Sequence, residues 1–200
     1  MRYLPLLAVI LMILSCGTSQ PAAGTESYIR PGYEKVKYKQ ILVIATMKDI
    51  VGRRKAENAM VDLLNRSGYH GTASYPVVDL NTIKHIDTLK AVLAPVDFDA
   101  VIVLNYLGQS GTINDKVSLN PTTPVASLSY FEFYTSPAYD FSFDSESRKS
   151  GLVQASFFTK AAYQKEWNSM VQVNADNGVD IAVEILAGMT LSRLKRDKIL

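Results

Sequence analysis

The sequence predicts an α/β domain: a mixed, mostly parallel sheet with flanking helices, an aromatic-rich β excursion and a C-terminal helix. Three observations carry this. Residues 41–45 (Ile-Leu-Val-Ile-Ala) and 100–104 (Ala-Val-Ile-Val-Leu) are short, uninterrupted apolar runs, the composition of strands buried on both faces. Apolar residues between and after these runs recur at helical spacing. The resulting order, β-α-β-α-β, is that of a sheet whose central strands run parallel.

Taken in order, the run at 41–45 is followed by Ala56, Ala59, Met60, Leu63 and Leu64, with Glu57, Asn58, Asp62 and Asn65 between them. That pattern is one face of a helix, and Gly68 stands where a left-handed cap would end it. Residues 72–78 predict a second strand, placed near an edge because Pro76 cannot donate to a ladder. Thr82 is positioned to cap a second helix carrying Ile83, Ile86, Leu89, Val92 and Leu93, stopped before Pro95. The strand at 100–104 follows.

From 107 to 150 there is no helical period. This insertion holds two aromatic segments, Tyr130-Phe131-Glu132-Phe133-Tyr134 and Tyr139-Asp140-Phe141-Ser142-Phe143-Asp144, which predict a hairpin or long excursion on the sheet. Residues 152–159 and 166–173 predict a strand pair with Trp167, Ser169, Val171 and Val173 on one face. The last helix starts near Asn177, turns Val179, Ala182, Val183, Leu186 and Thr190 to the core, and ends in Arg193, Lys195, Arg196 and Lys198, cations that suit the helix dipole.

The amino-terminal region has a different character. Met1-Arg2 is followed by an uncharged apolar run, the layout of a secretory signal over residues 1–15. The run is shorter than the roughly 20 apolar residues needed to span a bilayer. It ends in Ile13-Leu14-Ser15-Cys16-Gly17, which resembles the lipobox of bacterial lipoproteins: an aliphatic residue, a variable one, a small one, then cysteine. Leu14 is a mild departure, since a small residue is more usual there. The resemblance implies a diacylglycerol thioether on Cys16, cleavage before it and acylation of the new amino terminus. Two or more chains anchor stably where one is marginal.

Residues 16–37 then read as lipidated cysteine and tether, rich in small, polar and proline residues that cannot bury a core. The domain is expected over 38–200. Gly17 is not the aspartate that commonly retains lipoproteins at an inner membrane, and no acidic run follows it. A periplasm-facing position at the outer membrane is therefore expected.

Over residues 38–107 the chain also looks like the small α/β domains of envelope lipoproteins. These include the curli-secretion channel lipoprotein, penicillin-binding-protein activators, the TolB N-terminal domain and uncharacterised lipoprotein families. The residues that carry this are 41–45, Arg53, Arg54, Glu57, Gly68, Ala73-Ser74-Tyr75 and Asp99-Ala100-Val101-Ile102-Val103. The resemblance is one of pattern, and it implies an assembly or accessory role in the envelope.

Composition narrows the chemistry. Cys16 is the sole cysteine, so a lipidated chain has no disulfide, thiolate metal site or cysteine nucleophile. The chain has 21 basic and 19 acidic residues, Arg2 among the former. So small an excess argues against a nucleic-acid patch and against a polybasic membrane face. Gly108-Gln109-Ser110-Gly111 lacks the spacing of a nucleophile elbow and reads as a turn. His70 and His85 fall on different elements, outside the short zinc spacings. Asp140, Asp144 and Glu146 share a strand face but lack the calcium-loop pattern.

Asp49, Arg53, Arg54 and Glu57 cluster after the first strand. They are open to two readings: a site for an anionic ligand or partner at the strand ends, or a capped helix with a surface ion pair. Tyr130 and Tyr134 are candidate partner-binding residues, since aromatics are enriched at interfaces. The expectation is a non-enzymatic partner-binding module without a cofactor, held to the membrane by lipid and paired with another envelope protein. The alternatives are a hydrolase of envelope polymers or a small-ligand binder using the loops around Asp49 and Gly108.

Overall fold

A computed structural model describes residues 27–80, 83, 85–109, 150–160 and 165–200. Cys16, Thr82, Tyr130, Tyr134 and the rest of the aromatic segments lie outside these residues. The described elements are β1 (Ser27–Ile29), β2 (Gln40–Thr46), α1 (Ile50–Arg66), β3 (His70–Ala73), α2 (Ile86–Leu93), β4 (Ala100–Gln109), β5 (Ser150–Thr159), β6 (Lys165–Asn174) and α3 (Val179–Arg196). They build one six-stranded sheet in the order β1-β6-β5-β4-β2-β3.

The sheet is mixed. β2 pairs in parallel with both β3 and β4, and from β4 outward each neighbour is antiparallel. Helical crossovers join the parallel strands, as such connections require. Registers place Gln40 opposite His70, Ile41 opposite Ala100, and Ala100 opposite Thr159. The parallel strands therefore all begin at one end of the sheet, called here the strand-start end. β6 begins there too, with Lys165 opposite Phe158.

The two apolar runs are buried on both faces. Ile41, Val43 and Ala45 of β2, with Ala100, Ile102 and Leu104 of β4, enter the larger core, which also takes residues of α1 and α3. Leu42 and Ile44, with Val101 and Val103, enter the smaller core with Leu89 and Leu93 of α2. Alternation at period two sends neighbours to opposite faces, so a strand covered on both sides must be apolar throughout. On β6, Trp167, Val171 and Val173 join the larger core and Ser169 is buried among them. On α3 the buried set is Ala182, Val183, Leu186, Ala187, Thr190, Leu191 and Leu194, the expected stripe carried further.

Several boundaries differ from expectation. Residues 27–29 fall in the expected tether yet form β1, with Ser27, Tyr28 and Ile29 opposite Ser169, Asn168 and Trp167. Three residues carry too little period to be read as a strand; the partner strand supplies the pairing. The strand expected at 72–78 is His70–Ala73, on the edge as anticipated, and the chain then turns through Ser74, whose carbonyl accepts from Val77 and Val78. α2 starts at Ile86 with His85 as N-cap and no capping side chain, so the cap expected at Thr82 is not the helix start.

Gly108 is not a turn residue. It lies within β4 at an irregularity after Tyr106, with φ of 114°. Only glycine takes that conformation readily. Beyond α3, Ile199 and Leu200 fold back, their amides donating to the Leu194 carbonyl, and both are buried.

Gly71 fixes how closely α1 approaches the sheet edge. A Cβ added there would stand 3.1 Å from Val61 Cα and 3.2 Å from its carbonyl oxygen, both helix backbone. Gly71→Val is expected to destabilise the domain by about 1–3 kcal/mol, the usual cost of overpacking. Gly188→Ala, in α3 with nothing within 4 Å of the new Cβ, is expected to be neutral or stabilising. Urea unfolding of both variants checks the pair, and an unchanged midpoint for Gly71→Val would contradict the packing argument.

Candidate functional site

The cluster after β2 separates into three roles. Asp49 is the N-cap of α1, and its carboxylate accepts from the Val51 amide at 3.1 Å and the Gly52 amide at 2.8 Å. Two of the helix's unsatisfied amides are answered there. Arg53 and Glu57 form an i,i+4 ion pair at 2.9 Å, as the spacing predicts. The pair is not on the surface: Arg53 is 1% exposed and Glu57 0%. Arg54 alone is exposed, its guanidinium 5.4 Å from the centroid of the Tyr75 ring, within cation–π range.

Glu57 is the hub of this end of the domain. Its Oε1 accepts from the Ala45 amide at 3.0 Å, from Arg53 Nε at 2.9 Å and from Ser74 Oγ at 2.9 Å. Its Oε2 accepts from the amides of Ser74 at 2.7 Å and Tyr75 at 2.9 Å. Arg53 Nη2 also donates to Ser74 Oγ at 3.0 Å. One helix side chain thus holds the end of β2 and the turn after β3. Five donors occupy the acceptor positions of one carboxylate. Nearby, Thr46 Oγ1 donates to Asn105 Oδ1 at 2.6 Å, tying β2 to β4.

A second constellation lies at the strand-start end. An open cleft of about 820 Å³ is lined by Lys35, Lys37, Lys39, Tyr38, Tyr69 and His70, with Val36, Gly68 and Leu200 beside them. Its floor is fixed by packing. The buried Tyr38 ring meets Phe157 edge-on at 5.0 Å, and its hydroxyl lies 3.4 Å from that of Tyr33. Burial, reinforced by this contact, pushes the Tyr38 phenol far above its ordinary value. Lys35 Nζ donates to the Leu200 carbonyl at 3.0 Å and Tyr33 to the Ile199 carbonyl at 3.3 Å, which docks the end of α3 against the segment before β2.

The small overall excess of positive charge argued against a polybasic face, but the fold sorts the charges by position. Lys35, Lys37, Lys39, Arg66, Lys195 and Lys198 are all exposed, and they lie on the cleft or on the helix ends that meet it. The tether expected over 16–37 took in Lys35 and Lys37, and Lys39 fell at the start of the expected domain. The alternation Lys-Val-Lys-Tyr-Lys over 35–39 was the available signal, but the two helix termini that join it arrive from distant parts of the chain. His70 lines this cleft, whereas His85 caps α2.

Beside this end, Asp197 receives hydrogen bonds from Trp167 Nε1 at 2.7 Å, from Arg196 Nε at 2.9 Å and from the Ser27 hydroxyl. Burial pushes its carboxyl up, but the bonds from Arg196, Ser27 and Trp167 and the charge of Arg196 outweigh that and hold it below the ordinary value. The first described residue of β1 is thereby fastened to the C-cap of α3.

No family model matches the chain, and no curated protein does. Among solved structures it is similar to a PelC dodecamer from Paraburkholderia phytofirmans, at 7% identity over 84% of this chain and 97% of that one, with a TM-score of 0.47. It is also similar to the lipoprotein GNA1162 from Neisseria meningitidis, at 12% identity over 79% of this chain and 99% of that one, with a TM-score of 0.42.

Removing one partner of the buried pair leaves the other uncompensated. Arg53→Ala is expected to destabilise by about 3–5 kcal/mol in chemical unfolding. The double variant Arg53→Met/Glu57→Leu is not expected to recover, because the amides of Ala45, Ser74 and Tyr75 lose their acceptor. Full recovery by the double variant would show that the carboxylate serves the arginine and not the backbone.

Proposed function

We propose that this chain is a lipid-anchored envelope protein whose α/β domain works as a non-enzymatic accessory or assembly module. The observation that carries the reading is the coincidence, at one point, of an apolar run, a small residue at Ser15 and the only cysteine, Cys16. The geometry supports it in two ways. Ten residues separate Cys16 from Ser27, after which the chain enters the sheet as β1, so the domain would be held close to its membrane. The buried Arg53–Glu57–Ser74 cluster has its acceptors filled by structural donors, which favours a scaffold role over general acid–base chemistry.

On this reading Gly17 directs the protein to the outer membrane, facing the periplasm, and the aromatic insertion presents Tyr130 and Tyr134 to an envelope protein. Arg54, exposed beside Tyr75, is a further contact at the opposite end of the parallel strands from the lysine cleft.

Cys16→Ala is expected to abolish fatty-acid labelling and release the chain from membranes, read by metabolic labelling and fractionation. Labelling that persists in the variant overturns the anchor, and loss of the domain on protease treatment of intact cells overturns the periplasmic orientation. For the partner surface, Tyr130→Ala/Tyr134→Ala is expected to leave the melting temperature nearly unchanged while removing a co-purifying envelope protein, since aromatic anchors carry much of an interface's energy. A large fall in melting temperature would place these tyrosines in the core instead.

A further inference from the structure

Among the described residues, most of the exposed cations (Lys35, Lys37, Lys39, Arg66, Lys195, Arg196 and Lys198) stand toward one end of the sheet, near the last turn of α3 where Ser27 is held, while Lys48, Arg54 and Lys90 stand elsewhere. Lys35, Lys37 and Lys39 lie on a non-helical segment, so helix-dipole complementarity does not account for them, as it can for Arg66, Lys195 and Lys198 at the ends of α1 and α3. Of the nearby carboxylates Glu166 and Asp197 are ion-paired with arginines, while Asp97 and Asp99 are held by neutral donors and keep their charge, so the lysines outnumber the acids at this end without standing free of them. Asp99 accepts from the amides of Lys39 and Gln40, Asp97 from the Gln40 side chain, Glu166 from Arg30, and Asp197 from Ser27, Trp167 and Arg196. Glu34 is the exposed acid of the segment. Between two of the lysines stands Val36, an apolar side chain 56% exposed.

Where the anchor segment ends matters equally. Ser27 bonds to Asp197 and to Arg196 at the C-terminal end of α3, and β1 then runs toward the strand-start end, where Arg30 meets Glu166. The ten residues between Cys16 and Ser27 span roughly 35 Å at full stretch and about 17–19 Å on average. A chain of that length keeps Ser27, held at the last turn of α3, close enough to the bilayer for the domain to reach the headgroups, where attraction acts over a Debye length of about 8 Å at physiological salt.

We propose that the strand-start end is a membrane-docking face: Lys35, Lys37 and Lys39 lie on anionic phospholipid headgroups of the bilayer that holds the anchor, and Val36 enters the interface between them. This rests on the lipid-anchor reading above. Charge complementarity selects the surface, since cations near an anionic leaflet each add to binding and do so additively at short range. An exposed apolar residue flanked by lysines suits the boundary between headgroups and acyl chains. The docked domain turns its other end, with Arg54 and Tyr75, away from the membrane toward partners.

The test uses the chain from residue 16 onward with Cys16→Ser, which keeps every described residue and removes the lipid. Co-sedimentation is measured with vesicles of phosphatidylcholine alone and of phosphatidylcholine mixed equally with phosphatidylglycerol. Binding to the anionic vesicles only, weakening as salt rises, is expected. Lys37→Glu/Lys39→Glu, which leaves the Lys35–Leu200 bond in place, is expected to reduce it on the order of a hundredfold. Lys48→Glu/Lys90→Glu, matched in charge but away from the cleft, is expected to retain it. If charge reversal lowers the melting temperature, Lys37→Ala/Lys39→Ala replaces it, with the same direction expected.

Absence of binding to anionic vesicles overturns the proposal and leaves the face to an acidic protein or polymer. Equal binding to neutral vesicles, or equal loss in both charge-reversed pairs, overturns it as well. Fatty-acid labelling of the wild-type chain is read separately: its absence defeats the anchor reading without altering what the vesicles report about the lysine face.

Discussion

One buried carboxylate organises the end of the domain where its parallel strands finish. Glu57 projects from α1 and accepts from backbone amides of β2 and of the turn after β3, and Arg53 balances its charge. An ionised group taken out of water is costly unless charge and hydrogen bonds replace its solvation. Here five donors do so, and the orientation of α1 against β2 and β3 follows from where they stand. Gly71 lets the helix settle onto β3, and Asp49 starts it at the right residue. Remove the carboxylate and the helix, the strand end and the turn lose their common reference.

The opposite end is held differently. Packing and termini do the work there: Tyr38 against Phe157, Ile199 and Leu200 folded back under α3, Lys35 on the last carbonyl. Asp197 joins β1, β6 and α3 through Ser27, Trp167 and Arg196. The edge strand that continues the amino-terminal segment is consequently tied to the core by side chains as well as by its short ladder. Any pull along that segment is delivered to the sheet and the last helix together.

These two ends give the domain a polarity that its near-neutral overall charge conceals. Lysines crowd one end of the sheet, whereas beyond the other ends of the strands Asp49 and the Arg54–Tyr75 pair stand over the saturated Glu57 cluster. Such a separation acts locally, because fields between exposed charges are largely screened beyond about 8 Å at physiological salt.

Much of the scaffold was legible in the chain itself. Strands covered on both faces must be apolar without a break, so 41–45 and 100–104 declared β2 and β4. The i,i+3,i+4 stripes declared α1 and α3, and the alternation around Trp167 declared the buried face of β6. The spacing of Arg53 and Glu57 foretold their pairing. What spacing could not convey was the pair's burial, because Ala45, Ser74 and Tyr75 become its neighbours only when β2 and β3 lie side by side. The same holds for β1, too short to show a period until β6 pairs with it, and for the lysine face, assembled from a loop and two helix ends. Local periodicity records which side of an element is dry. Which distant charges and donors meet is decided by the packing of whole elements, a property of the folded chain that no stretch of sequence contains.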